Sequence, residues 1–266
     1  MNRIDKTFKK LKKSGGKAFI AYTVAGYPSF EMTEKIVSVL EESGVDIIEL
    51  GVPFSDPIMD GKSIQIAAQK ALRKNVNLPQ IIKFVKRLRK KTDIPIALMS
   101  YFNPIYTYPF DKFMKECGKA GVDGLIIPDL SFEESGLYRR FVEKSGLKLI
   151  QFISPTTSVK RINRILKAHQ GFTYCISIAG VTGARKDLPA DLTGFLRKIK
   201  RKSAGALAVG IGISRPEQAS FLRKYADGII VGSAFINIQL KGRKIIDNTK
   251  KLAVSLRRAL DIKNML

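Results

Sequence analysis

Ser43-Gly44-Val45-Asp46-Ile47-Ile48 returns as Ala120-Gly121-Val122-Asp123-Gly124-Leu125-Ile126-Ile127, and again as Tyr225-Ala226-Asp227-Gly228-Ile229-Ile230-Val231. In each copy a small residue closes a helical pattern, an aspartate follows, and a strand-sized apolar run begins. Gly suits the junction because it takes the left-handed conformation that ends a helix at little cost. Outward from these three copies, short apolar runs alternate with longer amphipathic ones. The apolar runs are Ala18–Val24, Asp46–Leu50, Ile94–Met99, Gly124–Ile127, Leu147–Ile153, Phe172–Ile176, Ala206–Val209 and Gly228–Val231. They are rich in Ile, Leu and Val and continuously apolar, as parallel strands covered on both faces should be. The intervening stretches Glu31–Ser43, Ser63–Arg73, Phe110–Ala120, Glu133–Lys144, Val159–Ala168, Leu192–Lys200 and Pro216–Tyr225 carry helical periodicity. The three copies mark strands 2, 4 and 8. Eight strands with helices between them argue for closure, a single (β/α)8 TIM barrel of class α/β. The expected domain is 1–266, with an extra N-terminal helix and a short phosphate-binding helix after strand 8.

Composition narrows the function classes. A chain of 266 residues, 45% hydrophobic, can bury one large core, and such barrels commonly have this size. No stretch reaches the roughly 18 apolar residues of a membrane span. The lysine-rich start, Met1 to Lys13, lacks the apolar segment of a signal peptide and reads as an amphipathic helix with Ile4, Phe8 and Leu11 on one face. Cys117 and Cys175 give neither a disulfide framework nor a metal spacing. A cytoplasmic protein with no membrane partner and no metal site is expected. The net charge of +24 attracts anions. The basic residues recur on most of the expected helices, without a zinc-finger spacing or an RNP-like aromatic set. A solvated outer surface, not nucleic-acid binding, is the expectation.

The chemistry of such barrels lies where strands end. Strand 2 ends in Glu49-Leu-Gly-Val-Pro-Phe-Ser-Asp-Pro-Ile-Met-Asp60-Gly61. Ile48 and Leu50 share one face of that strand, and Glu49 shares the other with Ile47. If Glu49 faces the barrel interior, desolvation raises its pKa toward neutrality, where a carboxyl can both give and take a proton. The plain alternative is a strand-end carboxylate paired with a lysine. Asp60 stands before a helix, and from its position alone the N-cap is the favoured reading. Strands 7 and 8 run into Val209-Gly-Ile-Gly-Ile-Ser214 and Val231-Gly-Ser-Ala-Phe235. Such glycine turns at helix starts bring backbone N–H groups close to an anion, and they occur at the strands that form the recurrent barrel phosphate site. A third glycine loop, Ile178-Ala-Gly-Val-Thr-Gly-Ala184, follows strand 6.

Along its whole length, from Tyr22-Thr-Val-Ala-Gly-Tyr-Pro28 onward, the chain resembles the alpha subunits of tryptophan synthase. The most specific piece is Glu49-Leu-Gly-Val-Pro-Phe-Ser-Asp-Pro57 with Asp60-Gly61. Ile127-Pro-Asp-Leu130 with Glu133-Glu134, Ser154-Pro-Thr-Thr157, Ala179-Gly-Val-Thr-Gly183, Gly210-Ile-Gly-Ile-Ser214 and Val231-Gly-Ser-Ala234 follow in order. The resemblance implies retro-aldol cleavage of indole-3-glycerol phosphate to indole and glyceraldehyde 3-phosphate, the alpha reaction of tryptophan biosynthesis. It makes Glu49 and Asp60 the catalytic pair. Tyr22, Met99, Ile126, Ile211 and Ile230 fall where the indole pocket is expected, although each would also suit a core. Tyr174 would line the site near the glycerol chain, or be a buried strand tyrosine. Thr182 would hydrogen-bond Asp60 when the strand-6 loop closes, and Gly183, Gly212, Gly232 and Ser233 would hold the phosphate. The implied partner is a pyridoxal-phosphate-dependent beta subunit in an alpha2beta2 assembly, contacted through Pro53, Asp56 and Asn103. No cofactor is expected in this chain.

The chain departs from the family pattern at four places. Ile178 stands where an arginine is usual, Met59 and Lys62 replace a small residue and a proline beside Asp60, and Ser131 replaces a proline after strand 4. These changes bear on loop closure and on coupling to the partner. They leave room for a catalytically weak regulatory subunit or a stand-alone lyase that releases indole.

Overall fold

A computed structural model describes residues 1–176 and 190–262 of the chain. Eight parallel strands, β1(Ala18–Val24), β2(Ile47–Gly51), β3(Ile96–Met99), β4(Gly124–Ile126), β5(Lys148–Ile153), β6(Phe172–Ile176), β7(Ala206–Gly210) and β8(Gly228–Val231), close into a barrel in chain order. All eight expected strands are present. β3 starts at Ile96, two residues later than the apolar run suggests, because Pro95 has no N–H to give a ladder.

Twelve helices are described: α1(Arg3–Ser14), α2(Phe30–Glu42), α3(Lys62–Leu72), α4(Leu78–Leu88), α5(Phe102–Thr107), α6(Phe110–Ala120), α7(Phe132–Lys144), α8(Val159–Lys167), α9(Ala190–Lys202), α10(Pro216–Leu222), α11(Ser233–Lys241) and α12(Ile245–Asp261). The expected N-terminal helix is α1, and the expected short helix after β8 is α11. Most strand residues are buried, as in a sheet covered on both faces.

The repeated aspartates stitch neighbouring strands together at the barrel's N-terminal end. Asp46 Oδ2 accepts the Phe19 N–H at 2.8 Å, Asp123 Oδ2 that of Ile96 at 2.9 Å, and Asp227 Oδ2 that of Leu207 at 3.0 Å. Each is also ion-paired, with Arg257 at 3.0 Å, with Arg89 at 2.7 Å, and with Lys200. Gly44 and Gly121 both take positive φ (87° and 89°), and each lies against the arginine stem of its own copy. α1 closes this end of the barrel. Its Ile4 reaches the α-carbons of Gly124 and Gly171, Phe8 meets Phe172 at 5.6 Å between ring centroids, and Asp5 pairs with Lys148 at 2.9 Å. The N-terminal end is therefore an ion-paired plug.

Candidate active site

Partners across parallel strands point to the same side of the sheet. The register Tyr22↔Glu49↔Ala97↔Gly124, one step later Met99↔Ile126, and on the far wall Phe152↔Tyr174↔Ala208 therefore forms one set. That set faces inward. Tyr174 on β6 and Glu49 on β2 act on each other electrostatically across the barrel, and Ile4 of the plug touches Gly124 from below. The choice left open by strand parity is resolved: Glu49 looks into the barrel.

Glu49 is 3% exposed, and its Oε2 has no hydrogen-bond partner among the described residues. Burial, and then the charge of nearby Asp60, push its pKa up to about 8. A carboxyl in that state is protonated near neutral pH and able to donate.

Asp60 lies in the loop between β2 and α3. The N-cap of α3 is Gly61, with no side-chain cap bond, so Asp60 is not spent as a cap. Its main-chain carbonyl accepts Gln65 Nε2 at 2.8 Å, while the Tyr101 hydroxyl hydrogen-bonds its carboxylate. Burial raises the Asp60 pKa to about 6, and the Tyr101 bond opposes that rise.

Tyr101 escaped the sequence reading. Buried and stacked on Phe54 at 5.2 Å, its hydroxyl also accepts the Met59 N–H at 3.0 Å. It thus grips the Asp60 loop at two adjacent residues. The signal was there: Tyr101 continues the inward alternation Ala97, Met99 one step past β3.

Two further tyrosines flank Glu49. Tyr22 and Tyr174 both have pKa values raised well above the ordinary phenol range, first by burial and then by Glu49 and Asp60. Tyr22 lies across Gly51, and Tyr174 lies across Gly210, where an added Cβ would stand 2.7 Å from its ring. Glycine is required at both places so that the rings can lie over the backbone. Met99, Ile126 and Ile230 are buried on the inward face, and Ile211 packs against the core just beyond β7. A slot with an apolar lining and two carboxyls is the result.

At its far side lies a helix start. An added Cβ on Gly232 would be 3.4 Å from Tyr22, so α11 opens beside the slot. Its N-cap, Gly232, makes no side-chain cap bond, which leaves the first-turn amides of Ser233 and Ala234 without partners inside the helix. Such a terminus favours an anion. The preceding turn differs, because the Gln218 side chain accepts the N–H groups of Ser214 (2.9 Å) and Arg215 (3.1 Å). Gly212, at φ 76°, shapes that turn, but the Ser214 and Arg215 amides just before α10 are already engaged.

The sequence model of the tryptophan synthase alpha chain matches residues 8–263. The chain belongs to that family. Among its relatives, the tryptophan synthase alpha chain of Thermoanaerobacter sp. (strain X514) is 45% identical over 263 residues, 98% of this chain and 100% of that one. The crystal structure of tryptophan synthase subunit alpha from Legionella pneumophila str. Paris superposes with a TM-score of 0.90 at 37% identity, covering 98% of this chain and 99% of that one. A structure of Mycobacterium tuberculosis tryptophan synthase matches with a TM-score of 0.89 at 32% identity, covering 98% and 99%.

Three of the departures from the family pattern have local accounts. Ser131 caps α7: its hydroxyl accepts the Glu134 N–H at 3.2 Å, and the Glu134 carboxylate takes the Ser131 N–H at 3.3 Å. Met59 contributes its backbone N–H to Tyr101, so its exposed side chain is free to vary. Lys62 is the first residue of α3 and exposed. Ile178, Thr182 and Gly183 lie outside the described residues. Of the three interface positions, Asp56 and Asn103 are exposed on the rim and Pro53 is buried. Among the described residues, no group of three or more His, Cys, Asp or Glu could hold a metal ion, and no helix is long and apolar enough to cross a membrane.

Proposed function

We propose that this chain is a carbon–carbon lyase that performs the alpha reaction of tryptophan synthase, cleaving indole-3-glycerol phosphate to indole and glyceraldehyde 3-phosphate. One observation carries the reading. A carboxyl held protonated to about pH 8 shares a buried slot with a second carboxyl that ionises near 6, and an uncapped helix start stands beside them. The two carboxyls are matched to two tasks.

The bond to be broken joins ring C3 of the indole to the glycerol chain. It breaks only if the ring can accept a proton at C3 and so become a neutral leaving group. Glu49 gives that proton from its unpartnered, desolvated side. Positive charge then develops at the ring nitrogen. Asp60, ionised and oriented by Tyr101, accepts the N–H hydrogen bond and stabilises that charge, an interaction strongest in the transition state. The carbon–carbon bond cleaves, its electron pair restores the aromatic ring, and the chain hydroxyl becomes the aldehyde. Its proton returns to Glu49, which ends the cycle in its starting form. The phosphate sits on the amides of Ser233 and Ala234, with the Gly212 turn and, from the strand-6 loop, Gly183 beside it. The resemblance to the family makes Thr182, outside the described residues, a hydrogen-bond partner of Asp60. Two carboxyls with separated pKa values in one slot support this reading over a regulatory subunit.

We further propose a cytoplasmic alpha2beta2 assembly. The indole passes to a beta subunit that holds the pyridoxal phosphate, while this chain needs no cofactor of its own. Asp56 and Asn103 form part of the docking rim around Pro53.

The test is turnover of indole-3-glycerol phosphate by folded Glu49→Gln and Asp60→Asn proteins. Losing about 4 kcal/mol of transition-state stabilisation lowers the rate roughly a thousandfold. Unchanged rates in either variant would overturn the assignment of that residue.

A further inference from the structure

The two helix starts on which this reading rests are joined at the rim. α3 begins at Lys62, two residues after Asp60, and α11 begins at Ser233. Ser63, in the first turn of α3, donates its hydroxyl to Asn237 Oδ1 at 2.6 Å. Asn237 stands four residues beyond Ser233, on the same face of α11 and directly below it. The first turn of α3, just after Asp60, is thus hydrogen-bonded to α11, whose N-terminus is the proposed anion seat.

The surroundings hold this connection at both ends. α11 is pinned to the outer face of β1, where Gln239 Nε2 donates to Thr23 Oγ1 at 3.1 Å with both side chains fully buried. Tyr22, the next residue on β1, points inward and lies beside Gly232. Among the described residues, the Asp60 loop is held by Tyr101, two residues past β3, and by Gln65 of α3. Asp60 stands two residues before α3, so the first turn of α3 and the Asp60 loop are linked through the chain.

We infer that the Ser63–Asn237 hydrogen bond is a positioning link through which an anion on the α11 terminus sets Asp60 for the indole N–H. Asn237 and Ser63 touch no reacting atom and act through Asp60. The inference rests on the proposed site, with phosphate at α11 and the ring nitrogen at Asp60. Its consequence is thermodynamic: each half of the substrate should bind better when the other is present.

The chain contains no Trp, so the fluorescence of free indole reports its own binding without protein background of the same kind. Indole is titrated with and without glycerol 3-phosphate. In the unaltered protein, glycerol 3-phosphate is expected to tighten indole binding about 5-fold or more, the usual lower end of site-to-site coupling. Asn237→Ala should bring that factor close to one, with the Kd of each ligand alone changed less than about twofold and with unchanged thermal stability. Ser63→Ala should do the same, and the double variant should add nothing further. Asn237→Asp, which keeps an acceptor for the Ser63 hydroxyl, should restore the coupling. Full coupling in Asn237→Ala would overturn the link, as would two ligands that bind the unaltered protein independently. Failure of both ligands to bind the unaltered protein would remove the site reading itself, and the link with it.

Discussion

Replacing Glu49 by Gln should make the folded protein more stable even as it abolishes activity, and the gain should depend on pH in a definite way. In the unfolded chain the carboxyl ionises at its ordinary value of 4.5, and in the barrel it holds its proton to about 8. Between those values the native state binds a proton that the unfolded state has lost, so stability falls as pH rises. Gln has nearly the shape of the protonated acid and does not titrate. Relative to Gln, the carboxyl costs about 1 kcal/mol at pH 5, about 3 kcal/mol at pH 7 and about 4 kcal/mol at pH 8. For a domain of this size, about 2 °C of Tm accompanies each kcal/mol. The variant should therefore melt about 2 °C higher at pH 5 and about 6 °C higher at pH 7. Paired thermal melts of the two proteins across pH 5 to 8, followed by far-UV circular dichroism, give the comparison. A gain that stays flat with pH, or a variant that melts lower at pH 8, would refute the claim that Glu49 is held neutral by burial. The outcome also bears on evolution of the site, because a chain that keeps a destabilising carboxyl in its core keeps it for function.

The remaining expectations concern the other groups around the slot and the plug. The pH dependence of kcat/KM should be bell-shaped, falling below about 6 as Asp60 takes up a proton and above about 8 as Glu49 loses its own, with the limbs belonging to the coupled pair. Steady-state rates from pH 5 to 9 check it, and a flat profile across that range would contradict both assignments. Tyr101→Phe removes the hydroxyl that favours ionised Asp60, so the acidic limb should move to higher pH and the rate should fall roughly 10-fold or more. An unmoved limb would show that Tyr101 is only a packing residue. Asp123→Ala strips the charge partners from Arg89 and an acceptor from the Ile96 N–H, and should cost about 3 kcal/mol or more in urea unfolding. Because Asp123 lies at the plugged end, kcat per folded molecule should stay within about twofold; a large loss of kcat would place it in the catalytic machinery instead.

The sequence by itself determined the barrel. Eight apolar runs separated by helical periods leave few other architectures, and the three repeated aspartate junctions mark strand starts because turn chemistry and strand burial are local properties of a chain. It also narrowed the chemistry to the carboxylates at the end of strand 2 and the glycine turns after strands 7 and 8. Only the tertiary structure decided which side of β2 faces the interior, since alternation defines two faces without naming either one. Asp60 was legible as a cap until Gly61 took that place, and the inward alternation that reaches Tyr101 gave no hint that its hydroxyl would meet Met59, 42 residues away. The two glycine turns looked alike in sequence, yet Gln218 takes the Ser214 and Arg215 amides of one, while the N-cap of α11 makes no side-chain cap bond. The raised pKa values and the Ser63–Asn237 bond, which spans 174 residues, have the same origin. Desolvation and hydrogen bonding depend on which groups the closed barrel brings together, and no periodicity along the chain encodes that.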